Sequence, residues 1–318
     1  MTDQALTHHD DQHQVPATQS PFDVQVLLAG QLTQSSIDMY RRDVAAYQEW
    51  AAGRGLDTLN PLTLADWRDD LALRSDMSPN TINRMISAVK RVVKQASSKG
   101  MIDSQVAMQF ETLRGVKVKA LKTRLKDHAR TRIEPDDMRR LCESPDQSTL
   151  VGKRDAALLA TLASSGLRAS ELATLTSGQV RKQGSKGYVL QVKGKTDIDY
   201  RDAHLSREAH SLIMAWIDAR LAAGVTSPYI FTSFAGRGGR ATEEAMSETA
   251  VWLTVQKYAK QTGLEHVKPH DFRRFVGTQL TRRDIRKAQL ALGHKSIEVT
   301  ARHYVLDRLE AGETDNLY

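Results

Sequence analysis

Four short stretches in the second half of the chain gather side chains suited to an anionic substrate. They are "SGLRASEL", with Arg168 and Glu171; "VKGKTD", with Lys193 and Lys195; "HDFRR", with His270, Arg273 and Arg274; and "LGHKSIEVTARHY", with His294, His303 and Tyr304. Arginine and lysine meet anionic oxygens, and histidine exchanges protons near neutral pH. A phenol becomes a nucleophile once its proton is taken or its pKa is lowered. Each stretch alone has an ordinary explanation. Arg-x-x-Glu is commonly a helix-surface pair worth about 0.2–0.5 kcal/mol, and a glycine followed by histidine commonly ends a helix. At helical spacing, however, His270 and Arg273 lie three apart and share a face, so both can reach one anion.

Metal chemistry is the rival use of these histidines. His266 and His270 are four apart, but Pro269 between them opposes a shared helix face, and neither cysteine nor clustered carboxylate completes a ligand shell. No metal site is expected. A phosphate loop of the "GxxxxGK[ST]" kind is missing, which argues against an ATP-driven enzyme. The single cysteine, Cys142, lies in the helix-like "MRRLCESP" and excludes an internal disulfide, so a reducing compartment fits. The 318 residues carry a net charge of +7 and a pI near 9.4, an excess that attracts phosphate, either of nucleic acid or of an anionic surface. No apolar run approaches the roughly 20 residues of a membrane span, and no membrane partner is expected.

In their order along the chain, the four clusters resemble the catalytic signature of the tyrosine recombinases, the phage-integrase family. The resemblance runs from about Ile133 to Tyr304 and extends to the helical first part of the chain, which resembles that family's core-binding domain. It implies a first arginine in a "TGLRxSEL"-like segment, here Arg168, supported by Glu171. It implies a hairpin lysine, for which Lys195 in "GKT" is the better match and Lys193 the reserve. A "HxLRH"-like motif appears as "HDFRR", giving His270 and Arg273, and the "LGH" histidine is His294. The family's tyrosine usually stands about nine residues beyond that histidine, where this chain has His303. Tyr304 is one further on, a turn of about 100° on a helix. Tyr318 is remote, and histidine is not the nucleophile of this chemistry, so Tyr304 is the expected nucleophile.

The implied activity is site-specific recombination through a 3′-phosphotyrosyl intermediate on double-stranded DNA, without metal, nucleotide or other cofactor, in a homotetramer on paired sites. Arg168 and Arg273 offer planar forks that fit two phosphate oxygens each. A preorganised donor of that kind is worth roughly 3–4 kcal/mol of barrier. His294 would add a hydrogen bond to the phosphate. A phenol of pKa near 10 needs help at neutral pH, which His270 would give as base. Lys195 would protonate the departing 5′ oxygen. Two rivals share the residues: a type IB-like topoisomerase, and a non-catalytic DNA-binding regulator with a decayed site.

These groups need a scaffold, and the sequence outlines one: mainly α with a small β-sheet, a helical core-binding domain and a mixed α+β catalytic domain that together would form a clamp. Residues 1–21 lack an apolar core, a secretory signal and a transit peptide, and read as a disordered tail. Residues 22–112 read as a helical bundle. Ile37, Tyr40, Val44 and Tyr47 make one stripe; a second helix follows Pro61. A third runs from the cap Ser78 to Gly100, burying Ile82, Ile86, Val89 and Val93 and presenting Arg84, Ser87, Arg91 and Lys94 on its opposite face as candidate DNA contacts. Residues 113–132 read as a basic linker: between Arg114 and Arg132 eight Lys or Arg face one acid, Asp127. Its Lys117, Lys119, Lys122 and Arg124 are candidate backbone contacts.

The catalytic domain is expected over 133–318, with a short tail after the nucleophile. Within it "YVLQVK" and "IDYRDAHL" suggest a small hairpin around "GKTD", "YIFTSF" a short strand, and "GRGGR" a flexible loop. Helices are expected to end at Gly166, over Ser206–Ala223 and Ser247–Thr262, and on both sides of the charged turn "TRRD". The expected location is cytoplasmic, on the nucleoid if the source is bacterial.

Overall fold

The computed structural model describes residues 23–124, 132–193, 200–236 and 239–304. The expected N-terminal and C-terminal tails, the stretch 125–131 and Lys195 lie outside these residues. The chain divides into two compact units, residues 1–129 and 130–318.

The first unit is helical: α1 Val24–Leu28, α2 Gln34–Ala52, α3 Pro61–Arg74, α4 Pro79–Ser98 and α5 Ser104–Thr112. Local chemistry starts them where it should. Asn60 and Ser78 accept backbone N–H bonds at the heads of α3 and α4, and a proline fills the first turn of each. The apolar stripe of α4 is buried as its spacing requires, and Ile82, Ile86, Val89 and Val93 pack with Leu27, Val44, Tyr47, Leu64, Trp67 and Phe110 into one core. Burying each such aliphatic side chain contributes about 1.5–3 kcal/mol before chain entropy is subtracted.

The basic stretch after α5 is less of a free linker than its composition suggests. Leu113, Val116 and Leu121 pack against the helical core. Asn83 donates to Val116 O at 3.0 Å and accepts from its N–H at 2.8 Å, and Arg124 donates to Ala72 O at 2.7 Å. A 3₁₀ segment, Val118–Arg124, results. Three apolar residues spaced through a lysine-rich segment leave no periodic signal, yet they suffice to dock it.

The second unit comprises α6 Pro135–Glu143, α7 Leu150–Ser165, α8 Ala169–Ala173, β1 Val180–Lys182, β2 Tyr188–Val192, β3 Arg201–Leu205, α9 Arg207–Ala222, β4 Thr232–Phe234, β5 Ala241–Ala245, α10 Glu248–Gln261, α11 Pro269–Thr281, α12 Ile285–Leu292 and α13 Ile297–Tyr304. Strands β1, β2 and β3 form an antiparallel sheet in chain order, with Leu190 opposite Ala203 and Val192 opposite Arg201. The expected hairpin around "GKTD" is therefore β2–β3. Strand β4 pairs with β5, whose "ATEEA" carries too little alternation to announce a strand. Of the "GRGGR" segment joining them, Arg237 and Gly238 are outside the described residues.

Leu158, Leu162, Leu172, Leu190, Ile213, Trp216, Val251 and Phe272 are buried in a core shared by helices and sheet. Helix α7 runs through it, which explains why ten of its sixteen residues are buried and why its sequence is apolar nearly all round. Buried charges are answered locally. Asp155 accepts from Arg154 at 2.7 and 2.9 Å and from the Tyr258 hydroxyl at 2.9 Å. No helix among the described residues is long and apolar enough to cross a membrane.

Candidate active site

Arg168 follows the αL turn at Gly166 (φ +63°) that ends α7, and it is the N-cap of α8. The turn is tight: a Cβ at position 166 would stand 3.1 Å from Leu292 and 3.2 Å from Val276, so α11 and α12 close directly over it. Glu171, in the first turn of α8, accepts from the Arg168 backbone N–H at 2.8 Å and from its guanidinium at 2.7 Å. The Arg168 side chain remains 42% exposed while that of Glu171 is 3% exposed. Arg168 thus stands at the surface with a buried carboxylate behind it.

Glu171 has a second cationic partner that the motifs do not announce. Arg201, at the start of β3, donates to Glu171 Oε2 at 2.6 Å and to Ala291 O at 2.9 Å. Burial alone would raise the Glu171 pKa; Arg201, then the Arg168 backbone and guanidinium, outweigh it and hold the carboxyl below its ordinary value. A sequence signal existed. With a period of two, Arg201 shares the face of the buried Ala203 and Leu205, an unusual place for an arginine.

Arg273 is 1% exposed on α11. Its guanidinium donates to Gly166 O at 2.9 Å and also to Leu292 O, tying the turn before Arg168 to the end of α12. Burial, and then the nearby Arg168, lower its pKa to about 10, while Tyr304 and Glu171 pull the other way; it stays protonated at neutral pH. His270 lies one turn earlier on the same helix and is exposed.

Helix α12 ends at Gly293 (φ +64°), an αL residue that releases the chain into His294. His294 Nδ1 lies 2.9 Å from the Thr300 hydroxyl, and its ring stacks on that of Tyr304 with centroids 5.3 Å apart. Tyr304 is 4% exposed, the last residue of α13. Its ring lies over Gly277 of α11, one turn beyond Arg273, where an added Cβ would stand 2.3 Å from Cδ1. The extra residue between "LGH" and the tyrosine therefore does not carry the phenol out of the cluster. Arg168, Glu171, Arg273, His294 and Tyr304 converge; Lys193 is exposed at the end of β2, with Nζ 5.9 Å from the centre of the Tyr200 ring. The elements that bring them together are far apart in sequence, which is why each motif was weak alone.

Chemically, the cluster sets two guanidinium groups, an imidazole and a phenol together over a buried carboxylate. That composition suits a phosphodiester, whose charge grows on its equatorial oxygens during in-line attack. Among the described residues no group of three or more His, Cys, Asp or Glu is placed to hold a metal ion.

The candidate DNA contacts of the first unit fall into two sets. Arg84 is committed to the buried Asp43, with which it forms an ion pair. Ser87, Arg91 and Lys94 line an open groove of about 420 Å³ together with Lys90, Gln95 and Glu111. Lys94 Nζ lies 3.5 Å from Glu111, and Lys90 donates to the carbonyls of Glu111 and Leu113. Lys117, Lys119 and Lys122 are exposed, whereas Arg124 is partly buried by its bond to α3.

Known proteins of one family resemble this chain in sequence and in fold. Residues 131–309 match the model of the phage integrase family, and residues 21–100 match that of the phage integrase N-terminal SAM-like domain. The chain is 29% identical over 292 residues to tyrosine recombinase XerC of Xanthomonas campestris pv. campestris, covering 90% of this chain and 83% of the relative. It is 27% identical over 277 residues to tyrosine recombinase XerD of Ralstonia nicotianae, covering 85% and 83%. In fold it is similar to the XerH site-specific recombinase in its post-cleavage complex with palindromic difH substrate (TM-score 0.66, 18% identity, 89% of this chain and 79% of that one). It is likewise similar to a lambda integrase fragment dimer bound to a COC' core site (TM-score 0.62, 16% identity, 91% and 96%). With a family match over more than half its length and a fold shared with solved recombinases, the chain belongs to the phage integrase family of tyrosine recombinases.

Proposed function

We propose that this tyrosine recombinase cleaves and rejoins double-stranded DNA at specific sites, with Tyr304 as nucleophile and Arg168, Arg273 and His294 as the phosphate-binding groups. One observation carries the reading: the Tyr304 ring packs against His294 and over Gly277, one turn along α11 from Arg273, which in turn binds the turn before Arg168. In this reading Tyr304 Oη attacks phosphorus, His270 takes the phenolic proton, and the bond to the 5′ oxygen breaks as Lys195 protonates it. A 3′-phosphotyrosyl ester and a free 5′ hydroxyl result. A 5′ hydroxyl from a second strand reverses the step, so the bond energy is kept and no cofactor is consumed. The groove along α4 with Ser87, Arg91 and Lys94, and the exposed Lys117, Lys119 and Lys122, would contact the DNA backbone. Exchange between two sites would take place in a homotetramer.

The test uses nicked suicide duplexes with candidate sites drawn from DNA flanking the protein's own gene. Expected is a denaturant-stable protein–DNA adduct that forms with the wild type and His303→Ala but not with Tyr304→Phe. An adduct that survives Tyr304→Phe overturns the assignment of the nucleophile. On supercoiled circles carrying two such sites, relaxed circles without recombinant products would identify a topoisomerase instead.

A further inference from the structure

We propose that Arg201 is a positioning residue that keeps Arg168 available to the phosphate by sharing the carboxylate that would otherwise neutralise it. This rests on the reading of Arg168 as a phosphate-binding group. Glu171 is the only carboxylate in direct contact with Arg168 among the described residues, at 2.7 Å. An arginine in a one-to-one pair with a buried carboxylate has little net charge to offer an incoming anion. Arg201 changes that balance. It is itself nearly buried, its side chain 10% exposed, and holds the same carboxylate at 2.6 Å, so two guanidinium groups share one negative charge. The exposed partner of the two, Arg168, carries the surplus.

Arg201 also spans three elements. Its backbone opens β3 at the foot of the hairpin expected to carry Lys195. One guanidinium nitrogen meets Glu171 of α8, and another meets Ala291 O near the end of α12, two residues before the turn that presents His294. The side chain lies over Gly293, where a Cβ would stand 2.4 Å from Arg201 Cδ; glycine is required there by contact as well as by its positive φ. A single side chain therefore sets the charge of Arg168 and the height of the His294 turn, without itself reaching the surface where a phosphate would bind.

The experiment measures single-turnover adduct formation at saturating suicide DNA, with affinity measured separately. Arg201→Met, similar in length but without charge or donors, is expected to slow adduct formation about 10–100-fold, the cost of a misplaced reacting group, while affinity changes less than about three-fold. Removing the carboxylate as well is the discriminating step. The double variant Arg201→Met with Glu171→Gln is expected to be at least about five-fold faster than Arg201→Met, because Arg168 is released from an unshared carboxylate. A double variant no faster than the single one overturns the proposal and leaves Arg201 a purely structural brace. If Arg201→Met does not fold, Arg201→Lys decides on the same terms: a loss relieved by Glu171→Gln supports charge sharing, and a loss it does not relieve refutes it. Failure of the wild type to form any adduct, by contrast, would count against the recombinase reading.

Discussion

Replacing Gly277 by alanine tests whether the phenol is seated by the absence of a side chain. The glycine is buried in α11, and an added Cβ would stand 2.3 Å from Tyr304 Cδ1, 2.5 Å from Cε1 and 2.9 Å from Cγ. Carbon atoms rest at about 3.5–4.0 Å, so the ring must retreat by about 1 Å or more. A displacement of that size at a reacting group costs up to about 100-fold, or about 2.7 kcal/mol of barrier. Stability moves much less. Alanine gains about 1 kcal/mol of helix propensity over glycine, against about 1–3 kcal/mol for overpacking. The assay is adduct formation on a suicide duplex alongside thermal unfolding and DNA affinity. The control is Gly178→Ala, where a Cβ would meet nothing within 4 Å. Gly277→Ala is expected to lose roughly 10–100-fold in rate with binding intact, and the control is expected to match the wild type. Wild-type cleavage by Gly277→Ala would refute the seat, and with it the placement of Tyr304 against α11.

Two further variants separate structural from functional charge. Arg84→Ala strips the counter-charge from Asp43, whose pKa burial already raises against the pull of Arg84. A loss of about 2–4 kcal/mol at pH 7 is expected, at the lower end because Arg84 is partly exposed, and it should shrink as pH falls and Asp43 takes up a proton. Unchanged stability with weakened DNA binding would instead make Arg84 a phosphate contact. For Glu171 the sign is opposite. Its folded-state pKa is depressed, so its contribution is complete above the unfolded value near 4.5 and is lost as pH falls through the lower folded value. Denaturant unfolding of the wild type and Glu171→Gln should therefore give stabilities that differ at pH 6–7 and draw together toward pH 3. A gap that stays constant with pH would mean that the carboxylate does not hold Arg168 and Arg201 as charged partners.

Much of the scaffold was legible because it is written in local rules. Ser78 with Pro79, Asn60 with Pro61, and the αL glycines 166 and 293 mark helix ends that depend on neighbouring atoms alone. The stripe of α4 is buried because 3.6-residue periodicity and burial are the same fact seen twice. Strand β5, the docking of Leu121 and the commitment of Arg84 to Asp43 were not legible. Each depends on a partner set by packing rather than by spacing: β4 for β5, the helical core for Leu121, and for Arg84 a carboxylate 41 residues away.

The site divides in the same way. The candidates Arg168, Glu171, His270, Arg273, His294 and Tyr304 come from the sequence, where short contiguous motifs resemble the signature of the family, and so does the exclusion of an internal disulfide and a phosphate loop. Only the folded protein decided that the phenol, displaced by one residue, still meets the histidine ring, and that the room for it is made by Gly277. Only the fold, too, made Arg201 the second owner of the carboxylate beside Arg168. The physical reason is range: capping and periodicity act over a few residues, while charge sharing and steric room are properties of atoms that meet only after α8, β3, α11, α12 and α13 have packed together.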